Sequence, residues 1–257
     1  MEMIEEILKL NKEDYISFID KRIEALEKCD SICPASYDYN LVKTNKFFGE
    51  KSKIITGYSP LVIDDKEIYC MLFDNVKKFF AEGFDSEEEK FIALSKCVQK
   101  TVFEYIGIGR PKEEIRQMIF KIDFEKEINT SIKRFKGNCA GLCTERSAIA
   151  HNCFQMLGLE SVFASEYIFL MGQKDLHAFN FVKFNGQTYL YDLINTYYMP
   201  EKEMPDVVLK KIDKEMTKEI FDDRQTCGCL EIYSVPSTAQ SGREYTIDYG
   251  YKEDEKY

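Results

Sequence analysis

The chain has 257 residues, enough for one large domain or two small ones with a core that needs no disulfide staples. Its 44% hydrophobic and 31% charged residues, with only 6 Pro and 13 Gly, exclude collagen-like, low-complexity and disordered classes. A formal net charge of −10 makes the average surface repel phosphate backbones and anionic membranes alike, so neither nucleic acid nor membrane is expected as a partner.

The start, Met1-Glu2-Met3-Ile4-Glu5-Glu6, puts acid where a secretory signal needs base, and no apolar run approaches the roughly 18 residues that span a bilayer. The expectation is a cytoplasmic protein. From Met1 to Glu27, Ile4, Ile7 and Leu8, then Ile16, Ile19, Ile23 and Leu26, recur at helical spacing, with Asn11 as break or cap. Two amphipathic helices are predicted, and they offer a surface for a protein partner. Cys29 to Pro60 reads as loop with short strands, because Pro34, Asn40, Asn45, Gly49 and Gly57 interrupt any period. An aromatic-rich segment, Ile68 to Phe80, follows without an assigned element.

Asp85 or Ser86 is placed to cap a helix with an acidic first turn, running to about Tyr105. After Gly107 and Gly109, Pro111 starts a helix from Lys112 to about Phe120. A further helix is predicted from Gly141 to Leu157, closed by Gly158. Residues 161–170 read as a strand, and His177–Phe184 and Gln187–Ile194 flank Asn185-Gly186, a strong hairpin signal. Beyond 200, a helix is expected near Val207–Phe221 and strands near Leu230–Val235 and Tyr245–Tyr251. The organisation follows as a helical and irregular region 1–84, a core 85–200 and a C-terminal extension 201–257.

The nine cysteines, at 29, 33, 70, 97, 139, 143, 153, 227 and 229, are odd in number and lack the density of a secreted disulfide framework. Reduced thiols are expected, some of them chemical. Cys143 opens a predicted helix, where unpaired N–H groups and the positive end of the helix dipole favour thiolate. His177 and Asp192 lie on the predicted hairpin. In a two-residue Asn-Gly loop Phe184 faces Gln187 and, counting in step, Phe179 faces Asp192, so His177, Phe179 and Asp192 share one face and His177 is a diagonal neighbour of Asp192. A one-residue slip would separate them. Nucleophilic thiol, proton-accepting imidazole and orienting carboxylate are the parts of a Cys-His-Asp triad acting through an acyl-enzyme.

The segments Gly141-Leu142-Cys143-Thr144-Glu145, Leu157-Gly158-Leu159, His177-Ala178-Phe179-Asn180-Phe181-Val182 and Tyr189-Leu190-Tyr191-Asp192 resemble the transglutaminase-like cysteine proteases and amidases, over roughly residues 90–196. The pattern departs at Phe179, where Trp is usual, and at Leu193-Ile194-Asn195-Thr196, where many members read Pro-Thr or Val-Thr. The resemblance implies a papain-like α+β core with no metal or other cofactor, acting on a peptide or protein substrate. It also implies hydrolysis of amide bonds or acyl transfer to an amine.

Cys139, in a second Gly-x-Cys one turn earlier, is the rival nucleophile. Tyr105 and Asn138 are candidates for the cleft or the oxyanion, against their plainer roles as core aromatic and turn residue. His151 and Cys153 point away from the face of Cys143 at 100° per residue and read as core, and Asn180 faces away from His177 by strand alternation. A different class stays open: a non-catalytic binding protein, or a zinc module built on Cys139, Cys143, Cys227 and Cys229. Cys29 and Cys33 read as a helix end rather than as ligands.

Overall fold

Asn11 separates the two opening helices, α1 (Glu2–Lys9) and α2 (Lys12–Lys28), and its Oδ1 accepts the backbone N–H groups of Glu13 and Asp14 at 2.9 Å each. The computed structural model describes residues 2–28, 47, 54–55, 60–81, 83–109, 111–170, 173–193 and 208–212. In α1 the buried stripe is Ile4 and Ile7, as the period predicts. In α2 the buried pair is Tyr15 and Ile19, and Ile16, assigned from spacing to the apolar face, is exposed. The face is set by Tyr15 stacking on Phe73 (ring centroids 5.9 Å apart), which turns Ile16 to water.

Of the stretch 29–60, Phe47, the short strand β1 (Ile54–Ile55) and the first residue of β2 (Pro60–Val62) are described, and the two strands pair antiparallel. β2 also pairs in parallel with β3 (Thr130–Ser131). The aromatic-rich segment is a helix, α3 (Glu67–Phe79), which buries Ile68, Leu72 and Val76 along one line and Tyr69 and Phe73 beside it. Ser86 caps α4 (Glu87–Ile106), its hydroxyl accepting the Glu89 N–H at 3.2 Å. The next helix, α5 (Glu113–Glu125), runs more than a turn past the predicted end at Phe120, because Asp123 is buried against Arg134 and holds the last turn in place. α6 (Cys143–Met156) ends as expected just before Gly158.

Four strands form an antiparallel sheet in the order β4 (Glu160–Leu170), β5 (Gln173–Phe184), β6 (Gln187–Asp192) and β7 (Val208–Ile212). The Asn185-Gly186 turn has positive φ at both residues, 47° and 77°, the backbone that makes an Asn-Gly pair the natural choice here. It fixes the register anticipated from sequence, Phe184 opposite Gln187 and Asn180 opposite Tyr191. β7 replaces the start of the helix expected over Val207–Phe221: Val208, Leu209 and Ile212 suit a strand, and pairing of Leu209 with Tyr191 and of Ile212 with Thr188 decides the matter over a weak local helical spacing. The remainder of that expected helix, Ile194, and the strands expected near 230–235 and 245–251 lie outside the described residues.

One face of the sheet packs on α6 and α4, where Phe91 meets Phe184 and Tyr189 at 4.9 and 4.4 Å and Phe154 meets Tyr191 edge-on at 4.8 Å. The other face carries Val162, Phe181 and Leu190 in one cross-strand row and Ala164 with Phe179 in the next, all buried. The described chain is therefore mixed helix and antiparallel sheet, with buried apolar side chains from Ile4 to Leu193 in one cluster that runs across residues 84 and 85. No helix among the described residues is long and apolar enough to cross a membrane.

Candidate active site

The site is built where α6 begins. The preceding loop is stitched to the end of α4 by backbone hydrogen bonds: Gly137 N–H to Tyr105 C=O (2.8 Å) and Cys139 N–H to Ile106 C=O (2.9 Å), while Cys139 C=O accepts from Lys112 N–H (3.0 Å). Asn138 closes the turn, donating through Nδ2 to Arg134 C=O (2.6 Å) and accepting Ala140 N–H at Oδ1 (2.9 Å). Gly141 lies close to α4: a Cβ there would sit 2.9 Å from Ile106 Cδ1 and make that side chain shift. Leu142 is extended, and Cys143 takes the first helical position.

β5 runs past the end of β6, and the first turn of α6 occupies that flank. The Ala178 carbonyl accepts the Ser147 hydroxyl at 2.8 Å and Asn180 Nδ2 donates to Ser147 C=O at 3.2 Å, while the Ala178 N–H is near enough to the Cys143 sulfur to favour its charged form. Ser147 lies four residues after Cys143, on the same side of the helix. The cysteine is thereby held against the strand that carries His177.

His177 Nε2 lies 2.9 Å from each carboxylate oxygen of Asp192. With Nε2 on the carboxylate, the Nδ1 side of the ring is left for Cys143, the next group after Asp192 that favours the charged imidazole. The ring also stacks on Phe179, centroids 6.3 Å apart, so His177, Phe179 and Asp192 share the face that the register arithmetic assigns them. His177 and Asp192 are 3% and 0% exposed, and Cys143 is the partly accessible member.

The electrostatics run in one direction. Burial by itself disfavours a charged imidazole, but the Asp192 carboxylate, its hydrogen bond and then Cys143 outweigh it and hold His177 well above the usual histidine range. Burial likewise opposes a thiolate, yet the hydrogen bond and charge of His177, with the Ala178 N–H, bring Cys143 below the ordinary thiol value against the opposing charge of Glu145. Both shifts favour a thiolate beside an imidazolium.

The other candidates fall elsewhere. Cys139 stands outside the helix in a left-handed conformation (φ 58°), and its thiol meets Ile108 C=O at 3.5 Å rather than the imidazole. Tyr105 is 1% exposed and donates its hydroxyl to Asp65 at 2.8 Å, which ties α4 to the segment before α3 instead of lining a cleft. Asn138 spends its amide on the turn. His151 is buried against Ser161 (3.1 Å), and burial pushes the Cys153 thiol up. Cys29, Cys33, Cys227 and Cys229 lie outside the described residues, and among the described residues no group of three or more His, Cys, Asp or Glu converges as metal ligands would.

Three participants carried no readable sequence signal or a muted one. The Ala178 peptide is backbone. Ser147 was visible only as the residue one turn after Cys143. Glu145 accepts the Leu142 N–H at 2.8 Å, and no reciprocal bond forms because Leu142, standing where a capping box has Ser or Thr, has no side-chain acceptor. Comparison of the chain with protein-family models, with curated proteins and with solved structures found no match.

Proposed function

We propose that this protein is a cysteine-dependent amide hydrolase, a protease or amidase, with a papain-like core of the transglutaminase-like kind. The observation that carries the reading is the buried His177 imidazole set between the Asp192 carboxylate and the Cys143 sulfur at a helix start. In this reading the Cys143 thiolate attacks the carbonyl carbon of a peptide or protein amide, and the unpaired N–H groups at the start of α6 receive the negative oxygen. As the tetrahedral adduct collapses, the C–N bond breaks and the His177 imidazolium gives its proton to the departing amine. The neutral imidazole then takes a proton from water, whose oxygen attacks the thioester and releases the acid and Cys143. Asp192 holds the ring orientation and stabilises its charge throughout.

The deciding measurement is the pH dependence of iodoacetamide alkylation, resolved by site with mass spectrometry, in wild type, Cys143→Ala, Cys139→Ala and His177→Ala. Cys143 is expected to label fast well below the ordinary thiol value of about 8.5, to slow in His177→Ala and to be unaffected by Cys139→Ala. Ordinary thiol titration at both Cys139 and Cys143 would instead leave a non-catalytic binding protein as the better reading. Product analysis with an added primary amine separates hydrolysis from acyl transfer to that amine.

A further inference from the structure

Behind the nucleophile lies a second charged pair. Glu145, in the first turn of α6 and fully buried, receives both Nε and Nη2 of Arg116 from α5, each at 2.9 Å, while the same carboxylate accepts the Leu142 N–H. Arg116 in turn lies over the Phe120 ring, 4.9 Å from its centroid, and its side chain is 15% exposed. Nothing in the proposed chemistry uses either residue. A carboxylate two residues from a thiolate nevertheless repels it, and in a site of low polarity such repulsion is strong. Of the two guanidinium groups near the sulfur, Arg146 gives its hydrogen bonds to the Gly141 and Gly107 carbonyls, so the pairing of Glu145 falls to Arg116.

We propose that Arg116 is a positioning residue for Cys143: its two-pronged grip on Glu145 fixes the start of α6 and cancels a buried negative charge that would otherwise oppose the thiolate. This rests on the cysteine-hydrolase reading. Among the described residues, the charged and titratable groups around the sulfur are His177 from β5 with Asp192 behind it, Glu145 and Arg146 from α6, Arg116 from α5, and Cys139, which shares Arg146 with it. Burial works against the Arg116 charge, and Glu145 and Cys143 more than restore it, so the guanidinium remains a full counter-charge.

Arg116→Gln and Glu145→Gln break the same ionic link but change the charge near the sulfur in opposite senses, which separates electrostatics from mere support. Alkylation of Cys143 is followed against pH in the full chain for wild type, Arg116→Gln, Arg116→Lys and Glu145→Gln, with circular dichroism as the check on folding. At pH 6, Arg116→Gln is expected to label roughly tenfold more slowly, Arg116→Lys close to wild type, and Glu145→Gln, which keeps an acceptor for the Leu142 N–H, faster than wild type. Equal slowing in Arg116→Gln and Glu145→Gln would overturn the proposal. If Arg116→Gln does not fold, Glu145→Gln decides alone: faster labelling supports the role, unchanged or slower labelling overturns it. Ordinary thiol titration in the wild type would overturn the hydrolase reading and this role with it. A depressed thiol in the wild type beside parallel variants would overturn the role of Arg116 alone.

Discussion

The first turn of α6 and the stretch beyond its middle each hold a cysteine, Cys143 facing buried His177 on β5 and Cys153 two residues after buried His151, and only at Cys143 do the neighbouring groups favour a thiolate. Beyond the middle, Cys153 is buried among apolar side chains and its thiol is pushed up, while His151 meets a neutral hydroxyl, Ser161. In the first turn, Cys143 is pulled down and His177 pushed up although burial acts the other way on both. Cys97 of α4 repeats the lesson of Cys153, driven by burial to about 12. Burial therefore does not activate a thiol. A charged partner, a backbone donor and a helix start do so when they converge.

The comparison is broken most severely at Asp192. His177 has its folded value raised above the unfolded one, so the stabilisation it brings is complete below about pH 6.5 and fades as pH climbs through the folded value. Asp192→Asn is expected to lose about 3 kcal/mol at pH 5.5, as breaking a buried pair does, with a gap to wild type that narrows toward alkaline pH in urea titrations. A gap independent of pH would mean that the imidazole carries no charge there. A smaller effect is expected beyond the middle of the helix: Cys153→Ser puts a hydroxyl into an apolar site and should cost about 2 kcal/mol, with the Cys143 labelling profile unchanged. Smallest of the three, Ser147→Ala removes one hydrogen bond, worth about 1 kcal/mol in the same unfolding titrations. Unlike Cys153→Ser, it should also slow Cys143 labelling, because it loosens α6 from Ala178.

Much of this was legible from local patterns. Asn185-Gly186 sets the register, and the register puts His177 beside Asp192, so two members of the candidate triad follow from turn chemistry and the two-residue period of a strand. Ser86, Asn11 and Gly158 mark helix ends by well-understood capping. What resisted reading depends on partners far away in sequence. Val208 to Ile212 holds too few residues for its period to separate helix from strand, and it becomes a strand through pairing with β6. Ile16 is displaced from the apolar face by Tyr15 stacking on Phe73 of α3, far along the chain. Arg116 and Glu145 are ordinary helix residues until α5 and α6 are side by side, and the single bond from the Leu142 N–H to Glu145 has no Ser or Thr before it to announce it.

The backbone bonds that join residues 137–139 to the end of α4 bear on how a ligand would be received. A loop tied at Gly137, at Cys139 and through Lys112 has already surrendered its conformational freedom when the chain folds. On the proposed function, a molecule arriving at Cys143 would meet a helix start braced from behind by these bonds, and little of its interaction energy would go into ordering residues 137–139. The ordering cost of binding there would then fall on the incoming molecule more than on this loop.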